Sequence, residues 1–192
     1  MEIGKTLYVS SRKEWRKWLK KNHNIEKEIW LVYYRKAAGK PRIPYNDAVE
    51  EALCYGWIDS TLKKMDDQRL AQRFTPRRKD SQLSQANKER IDKLIAEGKM
   101  TQAGLDAVAH IYTPGNVSKE LFTIPNDILE PLKANPRAWE NFQKFPDTYK
   151  RIRIAYIDTR RRHGREMFET SLNNFIKKTA NNKRIGFMKE TV

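Results

Sequence analysis

The residue types best suited to chemistry lie between positions 51 and 84. The stretch EALCYGWIDS holds the only cysteine of the chain, Cys54, followed by Trp57 and Asp59. A cysteine attacks as the thiolate, which needs positive surroundings or a helix N-terminus. Cys54 instead falls in the last turn of an expected helix, where the dipole is negative, and Glu50 sits one turn earlier on the same face. Helical projection places Ala48, Val49, Ala52 and Leu53 on the apolar side and Cys54 with Asp47, Glu50 and Glu51 on the other. With no histidine adjacent in sequence, Cys54 reads as an inert small residue, and no catalytic residue is assigned.

Asp59 is the stronger candidate. An acid inside a short strand beside Trp57 is at least partly buried, and a buried carboxylate needs partners. Arg69, Arg73 and Arg77 follow on the next strand and loop. Two readings remain open: an ion pair that fixes a hairpin, or a ligand pocket with Trp57 as a wall, Asp59 orienting an arginine, and Arg73 or Arg77 gripping a carboxylate or phosphate. Ser84 opens the helix that follows and could help to hold an anion through backbone N–H groups. A third basic stretch, YKRIRIAYIDTRRRHGR, carries Arg153, Arg160, Arg161 and Arg162 among seven basic residues, against Asp158 as its one acid. Its charges spread around a helix rather than along one stripe, which suits a solvated surface or a polyanion contact better than docking in a groove. His23, His110 and His163 lie far apart, so neither a metal site nor a cofactor is expected.

The elements that would position these residues follow from pattern. Ser11 with Glu14 is a capping box opening a helix over 11–21 that packs by Trp15, Trp18 and Leu19. EIWLVYYRK is β-branched and aromatic on both faces, which predicts a strand covered on both sides. NDAVEEALCYG reads as a helix with Asn46 at or near its N-cap and Gly56 as its stop. WIDS and QRLAQRF read as strands around the polar turn KKMDD. The result is a strand-helix-strand crossover with a hairpin, right-handed if its first two strands are parallel neighbours. Helices are expected from Ser84 to Gly98 and after Thr101. TPGNVSKE is the expected linker, and Pro125, Pro136 and Pro146 each begin a helix in an all-helical C-terminal part. The fold class is therefore α+β: a small mixed sheet of about three strands packed by helices over 1–113, then a helical domain over 120–185.

Composition sets the outer bounds. The 192 residues include 39 Lys and Arg against 24 Asp and Glu, a net charge of +15. Residues 113–192 carry 16 basic and 9 acidic groups, a denser excess than in residues 1–112. Such charge steers polyanions toward the chain but says nothing of fold or sequence specificity. The opening MEIGKTLYVS lacks the apolar run of a signal peptide, and no run of about 18 apolar residues occurs. A cytoplasmic protein without transmembrane segments is the expectation.

The pieces WRKWLKKNH, EIWLVYYRKAAGK, EALCYGWID, RFTPRR and GKMTQAGL, in this order, resemble the YdeI/OmpD-associated, or bacteriocin-protection, family. The stretch from Ile124 to Asp158 is similar to the helical tail of that family. Two departures stand out: Leu83 occupies the place of a usual tryptophan, and DTRRRHGRE replaces the usual tail signature. The resemblance implies a link to tolerance of bacteriocins and cationic antimicrobial peptides and to association with an outer-membrane porin. It implies no reaction, cofactor or catalytic residue. Three functions are thus carried forward: a non-enzymatic binding or stress-tolerance protein with a Trp/Asp/Arg pocket for a small anionic ligand or protein segment; a basic nucleic-acid or polyanion-binding module; and an enzyme using Asp59 or Glu50 as acid or base.

Overall fold

The computed structural model describes residues 2–113, 115 and 122–186. Its chain packs into two compact units, Met1–Leu83 with Arg90–Pro114, and Ser84–Glu89 with Gly115–Val192. Of the expected linker TPGNVSKE, only Thr113 and Gly115 fall among the described residues.

The first unit is built on a mixed sheet of four strands in the order β1-β2-β4-β3: β1 Thr6–Leu7, β2 Ile29–Tyr34, β3 Trp57–Lys64 and β4 Arg69–Pro76. β1 runs parallel to β2, and β4 is antiparallel to both β2 and β3. The expected strand-helix-strand crossover is present, with β2 and β3 parallel, but the two strands are not neighbours. The hairpin folds β4 back into the gap between them, so the helix joining β2 to β3 spans an inserted strand. As both apolar faces predict, β2 is buried from Ile29 to Tyr33. Gly56, at φ +73, turns the chain from helix into β3. Between Asp59 and Leu62 the register with β4 slips, a β-bulge in the edge strand.

Two helices cover one face of the sheet. Helix α1, Arg12–Asn22, starts at the expected capping box: Ser11 accepts the Glu14 N–H at 3.3 Å and Glu14 accepts the Ser11 N–H at 3.2 Å. Trp15 and Leu19 are fully buried, and the Trp15 indole donates to the Ala48 carbonyl at 3.0 Å, pinning α1 to helix α2, Tyr45–Cys54. The α2 cap is Pro44 rather than Asn46, which lies inside the first turn and accepts from Arg90 at 2.9 Å. Helix α3, Gln85–Ala96, contributes Leu94 to this core and ends at Gly98, φ +64. The helix expected after Thr101 is short, α4 Gln102–Asp106, capped by the Thr101 hydroxyl. Gly104 is obligatory there, because a Cβ would stand 2.4 Å from the Cys54 carbonyl oxygen.

The second unit is helical: α5 Asn126–Lys133, α6 Pro136–Lys144, α7 Asp147–Thr159, a 3-10 turn Arg160–His163, and α8 Arg165–Ala180. Pro125 and Pro146 cap α5 and α7, and Pro136 opens α6, since a fixed φ suits a first turn whose N–H groups lack partners. Its core gathers Ile128, Leu132, Phe142, Tyr149, Ile157 and Phe175. Among the described residues no helix is long and apolar enough to cross a membrane.

Candidate functional site

The residues expected to form one pocket in the first unit are dispersed, and the pleat of the sheet explains it. Asp59 pairs with Phe74 across the β3–β4 ladder, and Phe74 with Ile29, so all three point to the helix-covered face. Arg73 and Arg69 pair with Trp30 and Tyr34 and point to the other face. The expected partnership of Asp59 with these arginines is therefore corrected. Arg73 binds Glu28, with Nε at 2.7 Å and Nη2 at 2.6 Å from the same oxygen. The Trp30 indole also donates to Glu28, at 3.1 Å, and with Arg73 foremost these contacts hold the Glu28 carboxyl below the ordinary range. Arg69 closes the β3–β4 turn onto Asp66 at 2.6 Å. Arg77 donates to the Ser81 carbonyl at 3.1 Å and to that of Gln82, and Ser84 accepts the Asn87 N–H at 3.3 Å to open α3. Trp57 is core rather than wall: it is 1 % exposed, stands edge-on to Trp18, and donates its indole N–H to the His23 carbonyl at 3.1 Å.

What surrounds Asp59 is a different set. Its Oδ2 accepts the Tyr45 hydroxyl at 2.7 Å. Tyr33 lies on the same sheet face and is 6 % exposed, and its hydroxyl is buried without a hydrogen-bond partner among the described residues. Burial first, then the Asp59 charge, pushes both phenols well above their ordinary range, so each hydroxyl stays a proton donor. Arg90 of α3, 6 % exposed, also feels Tyr45, Glu50 and Asp59, while its burial lowers its pKa. The pattern of β2 puts Tyr33 on the core face with Ile29 and Leu31. Which acid it would meet depends on the β4 insertion, which leaves no trace in local sequence.

Glu50, the other acid or base candidate, is used in packing. Arg12 reaches Glu50 at 2.8 Å, Asp47 at 3.3 Å and Glu51, while Arg16 reaches Glu51 at 2.7 Å and the Lys99 carbonyl at 2.9 Å. Glu50 and Glu51 are 4 % and 2 % exposed, so the face expected to be polar is buried against α1. Cys54 is likewise fully buried in the core cluster, and not on an exposed side. Burial chiefly, and then the Glu51 charge, pushes its thiol up to about 11, so the inert reading rests on desolvation more than on Glu50.

In the second unit the four candidate arginines divide. Arg161 is neutralised by Asp127, at 2.6 and 2.8 Å, and by Asp158 at 2.7 Å. Arg162 is exposed. Arg153 and Arg160 instead lie over the ring of Tyr156, at 4.6 and 5.7 Å from its centre, and the Nε of each is buried without an acceptor among the described residues. Among the described residues no group of three or more His, Cys, Asp and Glu is placed to hold a metal ion.

A family model described as a domain of unknown function (DUF8412) matches residues 7–107, more than half of the chain. A second model, described as bacteriocin-protection, YdeI or OmpD-associated, matches residues 121–182. The chain belongs to the family of that domain of unknown function, and its residues 121–182 are similar to the YdeI/OmpD-associated family. The match to the YdeI/OmpD-associated family lies on the helical tail, α5 to α8. The motifs EALCYGWID and RFTPRR lie in the part that belongs to the domain of unknown function. No curated protein and no solved structure matches the chain with significance.

Proposed function

We propose that this protein is a non-enzymatic binding or stress-tolerance protein of the bacteriocin-protection type. Its first unit would take a small polar ligand or a protein segment at Tyr33, Tyr45 and Asp59. The observation that carries this reading is the Tyr33 hydroxyl, buried beside an Asp59–Tyr45 hydrogen bond and itself without a partner among the described residues. Buried polar groups are nearly always satisfied, and an exception calls for a water or a ligand atom. Two phenols kept protonated and a thiol pushed up to about 11 supply donors rather than nucleophiles, which favours binding over catalysis. A suitable ligand offers an acceptor to Tyr33 and a donor to Asp59, as amino acids and hydroxy acids do. The same reading treats residues 1–113 and 120–185 as separate domains, supported by the two compact units except at Ser84–Glu89, which group with the second. Limited proteolysis should then cut first between residues 113 and 120, and first cleavage elsewhere would count against the boundary.

The test pairs a thermal-shift panel of amino and hydroxy acids with survival of bacteriocin-challenged cells expressing the protein. Wild type should respond to a member of the panel and raise survival. Tyr33→Phe and Asp59→Asn should lose both at equal protein level. Unchanged survival with both variants would refute a role for this cluster.

A further inference from the structure

We propose that Arg153 and Arg160, arranged around Tyr156 in the second unit, form a site for a single phosphate group. This goes beyond the reading of the first unit and shares no residue with it. Arg153 is 9 % exposed, and a buried guanidinium is ordinarily matched by a carboxylate. Here none among the described residues is within reach. The groups that favour its charged form are Tyr149 and Tyr156, and no acid among the described residues lies within ion-pair distance of Arg153 or Arg160. The nearby acid that could have served, Asp158, is taken by Arg161, which is itself doubly held by Asp127.

The arginines are positioned by packing rather than by counterions. The Arg153 guanidinium lies 4.6 Å from the Tyr156 ring centre and Arg160 lies 5.7 Å from it, so one ring orients two cations. On another side, Gly186 fits against Arg153: a Cβ there would stand 2.6 Å from Nη1. Tyr149, over whose ring Arg184 lies at 5.9 Å, accepts the Ile185 N–H at 2.9 Å and fixes that wall. Tyr156 itself is 44 % exposed, so the pair of cations is reached from solvent beside its ring. Two guanidinium groups, rigid in their donors and lacking an acid between them, match the charge and oxygen geometry of a phosphate better than that of a single carboxylate. The arrangement covers one phosphate and not a track of them, because Arg161 and Arg165 are held by their own carboxylates.

The phosphate is free or carried on a mononucleotide, and the experiment separates these sources from a nucleic-acid backbone, the competing reading. The full chain, labelled with 15N, is titrated with inorganic phosphate, with a mononucleotide and with single-stranded oligothymidylate at two salt concentrations, following the arginine Nε–H signals. Saturable shifts of Arg153 and Arg160 are expected with inorganic phosphate or the mononucleotide below about 10 mM, the weak end of specific affinity. Arg160→Ala should weaken binding about ten-fold or more, and Arg162→Ala should leave it unchanged. Arg153→Met should abolish it. If that buried variant fails to fold by circular dichroism, the half-exposed Arg160 variant decides. No saturable shift, or equal binding by Arg160→Ala, overturns the proposal. Response to the oligonucleotide alone, falling steeply with salt, also overturns it in favour of a polyanion surface.

Discussion

Replacing Glu51 by alanine should destabilise the first unit by about 2–3 kcal/mol, just below the range for breaking a fully buried ion pair. The side chain of Glu51 is 2 % exposed and accepts from two guanidinium groups, Arg12 Nε and Arg16 Nη1. Truncation leaves both cations without that partner. Breaking a fully buried pair costs roughly 3–5 kcal/mol, and two features reduce it here. The arginine side chains are 27 % and 35 % exposed, so water screens the loss. Each also keeps a partner, since Arg12 retains Glu50 at 2.8 Å and Arg16 retains the Lys99 carbonyl at 2.9 Å. Glu51→Gln, which preserves an acceptor but not the charge, should fall about midway. The assay is urea unfolding followed by tryptophan fluorescence, which reports mainly on the first unit because Trp15, Trp18, Trp30 and Trp57 lie there and only Trp139 lies elsewhere. Glu140→Ala, which breaks an exposed pair with Lys144, serves as a control and should leave the unfolding midpoint in place. A loss below about 1 kcal/mol for Glu51→Ala, the size of a surface pair, would refute the view that this network binds α1 to α2.

Two further outcomes follow from the electrostatics. The Glu28 carboxyl is depressed in the folded state, first by Arg73, so its contribution is complete above the unfolded value and is lost as pH falls through the folded one. The difference in Tm between wild type and Arg73→Ala should thus be full at neutral pH and narrow below about pH 4, near the ordinary glutamate range; a constant difference down to the acid limit would contradict the assignment. With its thiol pushed up to about 11, Cys54 should react with a disulfide reagent at pH 8 only as fast as the core opens, its thiolate fraction being roughly a thousandth. Burst labelling of the folded protein would show a more exposed or more acidic thiol.

The helices were legible where the signal is local. Ser11 with Glu14, Gly56, Gly98, Thr101 and the three prolines each mark a boundary by their own chemistry. Asn46 misled because Pro44, two residues earlier, already supplies the start of α2. The candidate site was legible only in part, because it depends on which strands meet. Alternation along β4 separates Arg69 and Arg73 from Leu70 and Phe74. The face that Asp59 joins is fixed by its pairing with Phe74, a long-range register invisible in composition. The same register brings Tyr33 near Asp59, a neighbour that neither β2 nor β3 announces alone. Buried acid likewise escaped the helical projection of α2, since amphipathicity assumes that charge faces water, whereas Glu50 and Glu51 face Arg12 and Arg16.

The extra residue that β3 carries between Asp59 and Leu62 has a bearing on how copies of the chain meet one another. Among the described residues β3 is an edge, and a straight eight-residue edge would template a strand from another molecule. The bulge breaks that template at mid-length, and Lys63 and Lys64 place positive charge beyond it. Deleting Thr61 would remove the bulge and straighten the edge while leaving Asp59 opposite Phe74 and Leu62 opposite Gln72. A variant lacking that residue should self-associate through the straightened edge, and sedimentation as a monomer would refute this.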